Sequence, residues 1–150
     1  MSKTASYDFN FLSMTLAGKA ISNVCATAGN TSVWLGLHTA DPGGNSSTAA
    51  EGGYAAYTRV SVDRSTAAAV GWSITSGTSA APLATASPLG TVSFPQNTAV
   101  TTGTFSFMSI WVSSAAAGGT ALYTGTVSPT INWSQNVTPQ LTTGSSITET

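Results

Sequence analysis

Apolar positions along the chain fall into one helix-spaced run and several extended runs, and the chain is organised around the stretch from Val33 to Val62. Val33-Trp34-Leu35-Gly36-Leu37 is apolar throughout, which predicts a strand covered on both faces. His38-Thr39-Ala40 leads out of it and Asp41-Pro42-Gly43-Gly44 ends it. Proline fixes φ and lacks an N–H, glycine admits positive φ, and Asp41 can accept from its own downstream backbone. The polar loop closes at Gly52-Gly53, and Tyr54 to Val62 resumes an extended pattern that returns along the first strand. The core is expected to form on these two strands.

Upstream, Phe9, Leu12, Leu16, Ala20 and Val24 repeat every three to four residues, which predicts a helix over 6–28. Ser6 or Asp8 is its N-cap and Gly29-Asn30 its stop. Downstream, short extended runs are expected at Trp72 to Ile74, Leu89 to Pro95, Thr104 to Val112, Thr120 to Val127 and Ile131 to Thr138, with a last strand or tail to Thr150. Ser128-Pro129 is expected to end the strand from Thr120 to Val127, and Thr75 to Leu89 reads as a long loop. One helix followed by six to eight short strands predicts a mainly β domain. Its expected architecture is a β-sandwich or jelly-roll-like domain over about 31–147 with the N-terminal helix packed on it. Residues 1–150 are read as one domain, with no repeat or linker that divides them.

Composition changes this picture in one respect. Only 6% of residues are charged and the formal net charge is −1, against about a quarter charged in ordinary soluble domains. Nucleic acid and anionic membrane are therefore not expected partners, and no apolar run is long enough to cross a bilayer. A surface with so little charge is expected to be covered in part by other protein, in a homo-oligomer such as a dimer or trimer. The single cysteine, Cys25, excludes an intrachain disulfide framework. Met1-Ser2-Lys3-Thr4 lacks the pattern of a signal peptide, so folding in cytosol is expected.

Candidate chemistry is sparse. His38 is the only histidine; no G-x-S-x-G elbow accompanies it, and a structural role is expected. Cys25, His38, Asp8, Asp41, Glu51 and Asp63 show no recognised metal-ligand spacing, and no glycine pair opens a helix as a phosphate loop does. No cofactor, no metal and no catalysis are expected. Among the tryptophans, Trp34 and Trp111 lie in the most apolar strands and read as core, whereas Trp72 and Trp133 lie between hydroxyl residues and read as exposed contacts. Protein is favoured over sugar as what they touch.

The ordered motifs carry a resemblance. Trp34-Leu35-Gly36-Leu37-His38-Thr39-Ala40-Asp41-Pro42-Gly43 is followed by Gly52-Gly53-Tyr54, Tyr57-Thr58-Arg59-Val60-Ser61-Val62, Val92-Ser93-Phe94-Pro95 and Gly118-Gly119-Thr120-Ala121-Leu122-Tyr123-Thr124-Gly125. The set resembles a family of small tailed-bacteriophage virion proteins, often labelled tail-fibre proteins, over roughly residues 9 to 145. The chain departs from the family pattern by inserting Ala55-Ala56-Tyr57-Thr58 before Arg59 and by its long segment between Thr75 and Leu89.

The resemblance implies a structural component on the outer surface of a phage particle, made in the bacterial cytoplasm. Capsid decoration is expected first, because the sequence has no collagen-like repeat, heptad run or β-helical shaft. Such a cement protein would bind the major capsid protein lattice and stabilise the mature head by mass action. The alternative is a short tail fibre or tail adaptor, which would contact tail proteins and could bind host glycan. The expected contact residues are Trp72 with the loop after it, Trp133, the loop from Asp41 to Gly53 with Tyr54 and Tyr57, and Arg59, Asp63 and Arg64 as specific polar contacts.

Overall fold

In the computed structural model the described residues are 2–3, 32–44, 47–48, 50–64, 69, 71–75, 85–115, 119–145 and 147–148. The expected helix over 6–28 lies outside them. The strands, in chain order, are β1 (Ser2–Lys3), β2 (Ser32–His38), β3 (Val60–Asp63), β4 (Trp72–Thr75), β5 (Thr85–Pro88), β6 (Val92–Ser93), β7 (Gly103–Trp111), β8 (Ala121–Trp133), β9 (Gln140–Leu141) and β10 (Ile147–Thr148). The fold is mainly β and every strand pairing is antiparallel.

β2 sits inside a five-stranded sheet of order β1-β8-β7-β2-β3. Its run Leu35-Gly36-Leu37-His38 is buried at every position, which is what a strand with apolar residues on both faces requires. Leu35 and Leu37 pair with Ile110 and Met108 of β7 on one face, while Gly36 and His38 pair with Ser109 and Phe107 on the other. β5 lies between β4 and β10 in a three-stranded sheet, and β6 pairs with β9. One apolar cluster draws Leu35, Leu37 and Ile110 from the large sheet together with Trp72 of β4, Val92 of β6 and Leu141 of β9.

Four expectations change. The extended pattern from Tyr54 to Val62 becomes a strand only at Val60. Gly52 has φ +73° and Tyr57 N–H donates to Tyr54 O, so the chain turns there first. Of Leu89 to Pro95, only Val92–Ser93 is strand. The long loop after Thr75 contains β5, whose Ser, Thr and Ala residues lack any hydrophobic period and are held by backbone pairing with β4 and β10. Finally, Ser128-Pro129, joined by a cis bond, does not end β8. The ladder with β7 resumes at Phe105–Ile131 after Phe107–Thr126, so Val127 to Thr130 bulge opposite Ser106. A bulge is where a strand tolerates a residue without an N–H.

Candidate functional site

Three side-chain assemblies are built on this sheet. The first is a buried polar hub on the Gly36 face. His38 Nε2 lies 2.6 Å from Ser109 Oγ, and Ser109 Oγ also accepts from Trp111 Nε1. An indole N–H can only donate, so the Ser109 hydroxyl retains its own proton to offer to His38. Arg59 enters from the segment before β3 and meets Glu51 with two parallel bonds, Nε to Oε1 at 2.6 Å and Nη2 to Oε2 at 2.7 Å. Its Nη1 donates to Ser113 O at 3.2 Å and Ala115 O at 2.8 Å. One guanidinium thus ties the loop after β2, the approach to β3 and the turn after β7.

Gly36 makes room for the hub. A methyl group there would stand 2.8 Å from Ser109 Oγ, 2.9 Å from Glu51 Oε1 and 3.2 Å from Trp111 Nε1. The loop after β2 is also closed at its base by backbone. Thr39 N–H donates to Ala50 O and Gly52 N–H to Leu37 O, with His38 and Glu51 forming a bridge between them. Both charged groups are withdrawn from solvent, where a lone charge would be costly and a forked Arg–carboxylate pair satisfies itself.

The second assembly is aromatic. Tyr54 lies edge-on to Tyr57 at 5.8 Å and tilted to Trp133 at 5.4 Å, Phe105 lies 5.9 Å from Trp133, and Tyr57 stacks on Phe94 at 6.0 Å. Tyr54 O–H donates to Pro95 O, and Tyr57 Oη accepts from Leu37 N–H at 2.6 Å. Burial pushes both phenols above their ordinary range. At Tyr57 the bond from Leu37 offsets part of that rise and the Glu51 carboxylate adds to it. The Trp133 ring is gripped between two glycines, since a methyl at Gly53 or at Gly103 would stand 2.5 Å from its Cζ2.

The third is a loop unit at the same end of the large sheet as Trp133. Residues 96–102 precede β7 and residues 134–138 follow β8, and Asn97 joins the two segments.

The expected contact residues divide across these assemblies. Tyr54, Tyr57 and Trp133 come together in the aromatic cluster, and Arg59 belongs to the hub. Trp72 and Trp133, expected to be exposed, are instead 8% and 6% exposed, because neutral neighbours in sequence do not reveal that β4 and β8 turn these rings inward. Asp41 remains at the surface, where its Oδ1 caps Gly43 N–H at 2.8 Å. Asp63 is half-buried and accepts from Ser32 Oγ, while Arg64 is exposed. Sequence reasoning missed the hub partners Gly36, Ser109 and Glu51, and it missed Asn97. A usable signal existed for one of them: in a chain with so few charges, a Glu and an Arg eight residues apart around a turn are candidates for a mutual pair.

Among the described residues no three His, Cys, Asp or Glu side chains converge as metal ligands, and no helix is long and apolar enough to cross a membrane. The structure is thus a mainly β domain whose Arg59–Glu51 ion pair is withdrawn from solvent. The family is specific: residues 10–148 match the model of the podophage GP4 fiber I protein gp80, and the chain belongs to this family. The family's description is that of a phage fibre protein, which agrees with the resemblance to phage virion proteins carried by the ordered motifs. No curated protein matches the chain.

Proposed function

We propose that the protein is a structural subunit of a phage tail, a short fibre or the adaptor that carries one, displayed on the virion as a homo-oligomer. The observation that carries this reading is the family match across residues 10–148, whose description is that of a fibre protein. It moves the balance away from capsid decoration, which rested on the missing shaft repeat. A structural rather than catalytic role is supported by the Ser109–His38 contact: both residues are fully buried, out of reach of a substrate carbonyl.

The test is copy number per purified particle, by quantitative mass spectrometry against the major capsid protein. A small number in multiples of the tail symmetry is expected. A ratio near one per capsid subunit would return the protein to the head as cement, and absence from the particle would overturn both.

A further inference from the structure

Each sheet ends in strands whose outer side is open to further pairing, and proteins guard such edges with charge, proline, bulges or brevity. β1 carries Lys3. β3 ends in Asp63 and is followed by Arg64. β6, β9 and β10 are two residues long, with Pro95 beyond β6, Pro139 before β9 and Glu149 after β10. Where β8 extends past β1, Pro129 and the bulge opposite Ser106 interrupt its free side. β4 has none of these devices. Trp72-Ser73-Ile74-Thr75 holds residues of high strand propensity, lacks proline and pairs with β5 in unbroken register. No Asp, Glu, Lys, Arg or His stands between Ser65 and Thr148. Among the described residues β4 pairs with β5 only.

The ladder fixes which backbone groups of β4 are left over. Leu89 N–H donates to Gly71 O at 2.9 Å, so Gly71 and Leu89 form a hydrogen-bonded pair. Trp72 and Pro88, the next pair, are then a non-hydrogen-bonded one, which suits a residue with no N–H to give. By the same alternation Ser73 and Thr75 bond to β5, while Trp72 and Ile74 each turn an N–H and a C=O to the open side. The Trp72 side chain is held in the core, and Ser73 is exposed.

We propose that the open edge of β4 is a contact between two copies of this chain, joined β4 to β4 across a two-fold axis. Centred on Ser73, an antiparallel pair sets Trp72 opposite the partner's Ile74 and Ile74 opposite the partner's Trp72. Every outward backbone group of these residues is then bonded. Ser73 meets the partner's Ser73 in the close, non-hydrogen-bonded position, where a small neutral side chain fits and like charges would repel. A second copy is favoured over another protein on charge. The edge meets itself without opposing charges, and a chain uncharged from 65 to 148 offers nothing complementary by which to select a charged strand. The product is one sheet that runs β10-β5-β4 into the partner's β4-β5-β10. The inference rests on the homo-oligomer of the fibre reading and names its surface.

The experiment is sedimentation of the full-length protein over a range of concentrations, beside Ser73→Lys and Ser73→Glu, whose folds are checked by circular dichroism. The protein should self-associate, and each variant alone should do so at least about tenfold more weakly. An equal mixture of the two variants should re-associate, since opposite charges then face each other across the axis. Amide hydrogen exchange gives a second readout. On raising concentration Trp72 and Ile74 should gain protection, while Ser73 and Thr75, bonded within one copy, should not change. A protein that stays monomeric, undiminished association in both variants, no recovery in the mixture, or no gain of protection at Trp72 and Ile74 overturns the proposal. Should the Ser73 variants fail to fold, exchange on the unaltered protein decides alone. A fibre-like copy number with a monomeric protein would sink the β4 contact and leave the fibre reading standing; absence from the particle with that contact intact would do the reverse.

Discussion

The guanidinium of Arg59 lies over the Trp111 ring, 3.6 Å from its centroid, while its two edges engage Glu51 and the carbonyls of Ser113 and Ala115. A planar cation can stack and fork at once; an ammonium cannot. Arg59→Lys is therefore expected to destabilise the domain although it keeps the charge. Glu51→Gln, which leaves the buried guanidinium without its counter-charge, should cost about 3–5 kcal/mol. Thermal unfolding should show a loss on the order of 10 °C. A fall of only a degree or two would mean that water reaches the pair.

Gly36→Ala should destabilise by about 1–3 kcal/mol, because the new methyl overlaps Ser109 Oγ and Glu51 Oε1 in a packed interior. The denaturant midpoint should fall, and the double variant with Ser109→Ala should recover part of the loss, since it removes one of the overlapping atoms. Additive losses would show that the two positions do not share space.

Tyr57 gives the domain an alkaline limit. Its folded-state pKa is raised by burial, so the folded state binds the phenolic proton more tightly than the unfolded chain does. Stability is full below the unfolded value of about 10 and declines as pH rises above it. Tyr57→Phe should flatten that decline. At neutral pH it should cost about 1–3 kcal/mol, because Leu37 N–H loses its acceptor. Urea titrations across the alkaline range check both parts.

Gly103→Ala and Gly53→Ala drive a methyl into the same ring carbon of Trp133 from two segments. Each should lower stability by about 1–3 kcal/mol, and Trp133→Phe should relieve part of the loss in either background. Its own N–H has no acceptor to lose among the described residues, so the phenyl variant forfeits packing alone.

Much of the large sheet was legible in the sequence. The unbroken apolar run of β2 and the dense alternation of β7 depend only on local side-chain pattern, and both strands form within a residue or two of where that pattern places them. The ordered motifs were sufficient to point to a phage fibre-type family. Elements held mainly by pairing were not legible: β5 has no hydrophobic period, and β8 crosses a proline only because its partner tolerates a bulge at Ser106.

The sequence by itself determined the mainly β character and the scarcity of charge, because composition and local alternation are written residue by residue, and its ordered motifs carried the resemblance to the family. Tertiary structure alone decided which side chains meet. Gly36, Glu51, Arg59, Ser109 and Trp111 converge because strand register brings β2 beside β7 and two loops fold over that face. Trp72 and Trp133 are turned inward although their sequence neighbours are small or polar, and Val100 stays at the surface. Register and loop closure depend on partners tens of residues away, and no local pattern encodes them.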